Sequence, residues 1–267
     1  MSKLNQALHE IQSLDSMAKE DQWMNRIHPL VKLILTVVYI AIVVSFEKYN
    51  LTGLIGMLLY PLALFILADI SIREALWRMR IVLPLVCVVG IFNPFFDHNI
   101  VAAIGDVKLS GGVVSMFTLM IKGILTVLAS YLLIATTTIE KICYAMRLLH
   151  LPKGFVTQIL LIYRYITVLL KEADRIMQAY SLRAPNQKGV HFKAWGSLTG
   201  QLLLRSMDRA EEVYESMCLR GYRGEFYCGE GIRCQAKDYA YLLIWLVILG
   251  VLRFTPILEV VGTFVTT

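Results

Sequence analysis

Apolar residues in this chain run in long uncharged blocks before they break into helical spacing. The blocks are Leu30 to Phe46, Leu51 to Ala68, Ile81 to Phe96, Val113 to Thr138 and Tyr239 to about Val261. A helix needs about 20 mostly apolar residues to cross the hydrocarbon core of a bilayer. Each block is near that length, and Val113 to Thr138 is long enough to tilt. Arg253 interrupts the last block, and Pro84 and Pro94 sit near the ends of the third. A sixth apolar stretch, Phe155 to Leu170, carries Arg164 in its middle. The pattern predicts an all-α integral membrane protein with about five transmembrane helices (range four to six) and a polar module built from long amphipathic helices.

Basic residues orient these spans. Lys3, Lys19, Arg26 and Lys32 lie in or beside the N-terminal segment, and Arg73, Arg78 and Arg80 in the second link. The first and third links hold one basic residue each, Lys48 and Lys108. Lys and Arg concentrate on the cytoplasmic side, so the N-terminus is expected there. Lys141, Arg147 and Lys153 follow the fourth span and return the chain to the cytoplasm. If Phe155 to Leu170 crossed, residues 171–238, with 11 basic residues, would lie outside. Arg164 at a bilayer midpoint would also cost about 2.5–3.5 kcal/mol. That stretch is therefore read as a cytoplasmic or interfacial helix. The expected organisation is a cytoplasmic segment over 1–29, four spans within 30–138, a cytoplasmic module over 139–238, and a last span with an external C-terminus over 239–267.

The composition agrees: 57% of the 267 residues are hydrophobic and 17% charged, where a soluble domain has about a quarter charged. An ordinary soluble enzyme and a disordered chain are both excluded. The net charge of +6 follows from the cytoplasmic bias of Lys and Arg. Nucleic-acid binding does not fit, because nine acidic residues interleave with the basic ones between 171 and 238. The five cysteines, Cys87, Cys143, Cys218, Cys228 and Cys234, match no paired zinc spacing and read as reduced thiols. No cleavable signal peptide is expected, since the first apolar run begins only near Leu30.

The polar module reads as two long helices. Leu151-Pro152-Lys153-Gly154 starts the first, whose apolar face runs through Ile159, Ile162, Ile166, Leu169, Ala173, Ile176 and Tyr180. It is expected to stop before Pro185. The second runs from about Phe192 to Leu219, with a stripe of Leu198, Leu202, Met207, Ala210, Val213 and Met217, and Gly221 ends it. The two helices repeat with an offset of 37 residues: Leu182, Arg183 and Ala184 align with Leu219, Arg220 and Gly221. One arginine in a last turn is ordinary dipole chemistry, worth about 0.3–1 kcal/mol. Two matched endings suggest a paired docking role. The small residue lets a second backbone approach, and the guanidinium offers a planar fork to carboxylates.

With these residues in view, the chain resembles the transmembrane T component of energy-coupling-factor transporters over nearly its whole length. The signals are His28-Pro29-Leu30-Val31-Lys32 before the first span, Leu151-Pro152 before the first long helix and Tyr163-Arg164-Tyr165 within it. Ser181-Leu182-Arg183-Ala184 and Cys218-Leu219-Arg220-Gly221 complete the set. The family pattern is four spans, a cytoplasmic module of coupling helices and a final span. The resemblance implies that the two helix ends seat in grooves of two cytoplasmic ABC ATPase subunits. Leu182, Arg183, Ala184, Leu219, Arg220 and Gly221 would carry that docking, with Tyr163 and Arg164 as supporting candidates. Leu182 and Leu219 stand where the family often has Ala, and Ala184 stands where it has Gly. The N-terminal segment with Trp23 and Ile27-His28-Pro29 is most similar to the cobalt-transport branch, CbiQ. A substrate-binding S component of the cobalt type (CbiM-like) is then the implied membrane partner, in a bacterial or archaeal cell membrane. A T component shared among vitamin transporters is the alternative.

The chemistry the chain lacks is consistent with a non-catalytic subunit. It has no G-x-x-x-x-G-K-[ST] loop, so ATP is expected to be used by the partner subunits, and no cofactor or metal by this chain. His98, in Asp97-His98-Asn99, reads as a solvated external loop residue, and His28 and His150 as helix-boundary residues beside prolines. Lys122, inside the fourth span, is a functional candidate or a snorkelling side chain. A stand-alone secondary transporter would carry paired broken spans with midplane polar sites. A prenyltransferase-like membrane enzyme would need clustered aspartates for magnesium-diphosphate, and Asp97 and Asp106 are too far apart.

Overall fold

The structure is a computed structural model that describes residues 12–254 apart from 14, 21–22, 48–49, 105–106, 186–188, 225–233 and most of 72–99. The chain divides into two compact units, one formed by Ala18–Thr138 with Ile232–Thr267 and the other by Ile139–Gly231 with Met1–Met17.

The first unit opens with a short helix α1 (Trp23–Arg26) and then α2 (Pro29–Val44). His28 caps α2: its Nδ1 accepts a hydrogen bond from the Leu30 amide at 3.2 Å, and Pro29 occupies the first helical position, where its missing N–H costs nothing. The second apolar block forms two pieces, α3 (Leu51–Met57) and α4 (Leu59–Leu67). Pro61 explains the break. It cannot donate to the Met57 carbonyl four residues back, and its ring crowds that oxygen. The Tyr39 hydroxyl donates to the freed Met57 carbonyl at 3.0 Å, as a buried backbone group requires.

The expected third span, Ile81 to Phe96, lies outside the described residues except for Pro84 and Val88, and the Asp97-His98-Asn99 loop lies wholly outside them. They are followed by a feature the hydropathy pattern did not foresee. β1 (Ile100–Ile104) pairs antiparallel with β2 (Val107–Ser110), with Ile104 opposite Val107. α5 (Gly111–Thr136) follows directly, and α9 (Ala236–Phe254) ends the described chain. These correspond to the fourth and last apolar blocks. The fold is an all-α membrane protein with this one short hairpin added.

One core joins α1 to α5 and α9. Val31, Leu35, Tyr39 and Val43 of α2 meet Leu54 and Met57 of α3, Tyr60 and Leu64 of α4, Leu125 and Leu132 of α5, and Trp245 and Leu249 of α9. At its centre the rings of Tyr39 and Tyr60 stack at 4.4 Å, and Trp245 meets Tyr60 edge-on at 5.0 Å. Lys122, the charge inside α5, has a local explanation. Its ammonium donates to the carbonyls of Val44 (3.2 Å) and Phe46 (2.5 Å) at the end of α2. Arg253 reaches the same turn, donating to the Ser45 carbonyl at 3.1 Å and lying 4.1 Å over the Phe46 ring. Both cations answer the partial negative charge of a helix C-terminus.

The second unit contains α6 (Ile139–Leu148), α7 (Lys153–Arg183) and α8 (Phe192–Leu219). α6 ends in a left-handed turn at His150 (φ 60°), closed by hydrogen bonds from the His150 amide to Arg147 and from the Leu151 amide to Met146. By length and composition, α5 and α7 are both apolar enough to cross a membrane. The two differ in their charges: α7 carries Arg164 mid-way and Glu172, Asp174 and Arg175 beyond it.

Candidate functional site

α7 and α8 form an antiparallel hairpin, which fixes where the two Leu-Arg endings lie. An ion pair links Glu172 to Arg205, and the His191 amide donates to the Tyr180 hydroxyl at 3.4 Å. Leu161 of α7 shares a groove with Met217 of α8. Arg183 therefore lies near the start of α8, and Arg220 near the start of α7. α8 has 28 residues, so at 1.5 Å per residue the two arginines are separated by about 40 Å along the hairpin.

The two helix ends are built differently. At α8 the last helical residue is Leu219, Arg220 is the cap, and Gly221 takes φ 85°. The Gly221 amide donates to Cys218 and the Tyr222 amide to Met217, both at 2.9 Å, which is the double closure of a Schellman turn. At α7 the last helical residue is Arg183, and Ala184 is the cap with φ −131°. Pro185 accounts for this, because it drives the residue before it out of the helical region. The 37-residue repeat in sequence thus terminates one residue later in α7 than in α8.

Both ends present the same surface. Leu182 is 82% exposed and Leu219 is 90% exposed, each beside an exposed arginine. Neither guanidinium makes an ion pair among the described residues. An almost bare leucine beside an unengaged arginine is poor chemistry for a surface facing water and good chemistry for an interface.

The α8 end has an extra feature. A groove of about 410 Å³ runs beside it, lined by Arg164, Tyr165, Arg209, Glu212, Arg220 and Tyr222 among others. Arg209 is partly neutralised by Glu212 at 3.0 Å. Arg164, which sequence reasoning valued chiefly as a charge unfit for a bilayer, is brought to the same groove as Arg220. Its neighbour Tyr163 is half-buried and does not line it. Near this end the Tyr214 phenol is held above its usual range by hydrogen bonding with Cys218, one turn on.

The hairpin leaves much apolar surface uncovered. α8 has no buried residue, and α7 has only Val156, Thr157 and Ile176. Ile162, Ile166 and Met207, expected on the packed stripes, are exposed, as are Phe192 and Trp195. Between the helices an apolar groove of about 670 Å³ runs past Leu161, Ile166, Leu169, Val213 and Met217. Among the described residues no cluster of His, Cys, Asp and Glu is arranged to hold a metal ion. Cys143 is buried, and Cys218 and Cys234 are exposed thiols.

Gly221 can be tested directly. No atom lies within 4 Å of a Cβ added there, so Gly221→Ala meets only the left-handed backbone penalty. That penalty is about 1 kcal/mol. Amide exchange over the last turn of α8 is expected to speed up about fivefold. Arg223→Ala, just beyond the turn, should leave exchange unchanged.

A sequence profile of the cobalt transport protein family, CbiQ, matches residues 20–228. The energy-coupling factor transporter transmembrane protein EcfT of Listeria innocua is 26% identical over 229 residues, 76% of this chain and 82% of that protein. An uncharacterized protein of Methanocaldococcus jannaschii is 31% identical over 119 residues, 44% of this chain and 41% of its own length. The nickel permease LarQ of Lactiplantibacillus plantarum is 26% identical over 115 residues, 42% of each chain. The matches to the last two reach less than half of those relatives' lengths. The family match spans α2, the α7–α8 hairpin and both Leu-Arg ends, and the chain belongs to the CbiQ family of cobalt transport proteins, membrane components of transporters.

Proposed function

We propose that this chain is the coupling subunit of an energy-coupling-factor importer, transmitting motion from two cytoplasmic ABC ATPase subunits to a substrate-binding membrane subunit. The observation that carries this reading is the pair of exposed Leu-Arg helix ends, Leu182-Arg183 and Leu219-Arg220, at opposite ends of one hairpin. Two contacts about 40 Å apart on a stiff element suit a pair of separate subunits that approach each other. The N-terminus is cytoplasmic in this reading, the apolar helices of the first unit cross the membrane several times, and α7 stays at the interface or below it. ATP is bound by the partners, and this chain holds no cofactor. Such a lever acts only if the partner's two states contact it differently.

The family profile favours cobalt ion as cargo, held by a cobalt-type S component. The likeness to EcfT over most of both chains supports a second reading, a T component shared among vitamin transporters. The test is a tagged pull-down of the full chain from native membranes in mild detergent, with mass spectrometry of the bound proteins. Recovery of P-loop ATPase subunits is the expected result, and the co-purifying membrane protein then separates metal from vitamin. Recovery of this chain alone, still transporting after reconstitution, would replace the coupling reading with a secondary transporter.

A further inference from the structure

The segment His28–Lys32 holds three helix ends of the membrane unit together. It caps its own helix, α2, through the His28 imidazole. Lys32 is only 4% exposed, and its ammonium donates to the Thr136 carbonyl at 2.9 Å. Thr136 is the last residue of α5, where carbonyls lack helical partners and carry partial negative charge. Asp238 is 8% exposed and lies in the first turn of α9. Its Oδ2 accepts from the Gln235 amide at 2.8 Å, and its Oδ1 accepts from the His28 amide at 3.2 Å.

The position of these ends in the chain gives them meaning. The chain leaves this unit after Thr138, just beyond the end of α5, and returns to it at Ile232, just ahead of α9. Any displacement carried directly along the chain from α6, α7 or α8 arrives at the end of α5 or the start of α9, while the third crossing between the units, at Ala18, leads through α1 into α2. The end of α5 and the start of α9 are both tied to α2 by buried, charge-assisted hydrogen bonds, stronger and more directional than neutral ones. α2 in turn supplies Tyr39 to the aromatic stack at the unit's core.

We propose that Lys32 and Asp238 are positioning residues of a transmission joint that makes α5 and α9 move with α2 as one body. The inference rests on the coupling reading above. Without the joint, the helix ends shift but α2 stays behind, and ATP hydrolysis is no longer matched by transport.

The experiment uses the whole co-purified complex in proteoliposomes, with Lys32→Met, Lys32→Arg and Asp238→Asn in this chain. Three quantities are read: recovery of ATPase subunits, ATP hydrolysis and substrate uptake. Lys32→Met and Asp238→Asn are expected to keep the ATPase subunits and their hydrolysis while uptake per ATP falls about tenfold, within the usual range of coupling free energies. Lys32→Arg, which can still donate to the Thr136 carbonyl, should restore most of the uptake. Unchanged uptake per ATP in both Lys32→Met and Asp238→Asn would overturn the joint. So would parallel loss of subunit recovery and uptake in both, which would mark the residues as merely structural. Failure of the unaltered chain to bring down ATPase subunits would remove the coupling reading itself, and the joint with it.

Discussion

Reversing both terminal arginines, Arg183→Glu together with Arg220→Glu, is expected to abolish recovery of ATPase subunits while the chain still inserts in the membrane. Both side chains are exposed and neither joins an ion pair among the described residues. The fold therefore loses little when they change. An interface loses more, because a carboxylate seated against each guanidinium would face a like charge after desolvation. Truncating one member of such a pair costs about 2–5 kcal/mol, so each single reversal should weaken docking roughly 30-fold or more. The two sites are far enough apart to act independently, and their effects should add to about a thousandfold. Lys171→Glu, exposed at mid-hairpin, makes the same change in net charge as either single reversal and should leave recovery intact. Normal ATPase recovery and uptake by the double variant would refute docking through these ends.

The exposed leucines sharpen that expectation. Leu182→Ala and Leu219→Ala remove contact area without touching charge. An interface built on both residues would weaken in steps, charge reversal having the larger effect. A purely electrostatic contact would ignore the leucines.

The helix ends were legible in the sequence because their causes are local. Pro185 stops α7, Gly221 supplies the left-handed residue that closes α8, and the expected limits Phe192 and Leu219 are those observed. Pro61 also lay in plain view, but a hydropathy window is blind to a lost N–H, so α3 and α4 read as one block. α6 went unread because its ten residues are amphipathic and short. The paired strands β1 and β2 sat in a link judged only by its charge. What could not be read at all are the pairs distant in sequence: Lys32 with Thr136, His28 with Asp238, and Arg164 in the groove of Arg220. Each depends on which helices become neighbours, and periodicity along one helix carries no information about the partner. The partial failure of the stripes has a different cause. Ile162, Ile166 and Met207 have helical spacing but are exposed among the described residues, so amphipathicity identified apolar faces without saying what covers them.

Trp245→Ala is expected to lower the thermal stability of the detergent-solubilised chain more than any exposed substitution on α9. The indole is buried and meets Tyr60 at 5.0 Å and Tyr241 at 6.3 Å, both near edge-on. Tyr60 passes the contact on to Tyr39 of α2, so one side chain links α9 to α4 and α2. In a bilayer, moving an apolar ring from lipid to protein brings little hydrophobic gain, so helix association depends on close packing. Removing the indole leaves a void that stacked, hydrogen-bonded tyrosines cannot easily fill. Tyr39 is held by its bond to the Met57 carbonyl, which Pro61 leaves without a helical donor. Large aromatic-to-alanine changes in packed cores cost about 3–5 kcal/mol. Val247→Ala, two residues away on the exposed face of α9, should shift the melting temperature little. The measurement is a melting curve of each variant in the same detergent. Equal melting temperatures for Trp245→Ala and Val247→Ala would mean that the aromatic stack does not hold the unit together, and that the polar ties at the ends of α2 carry more of its stability.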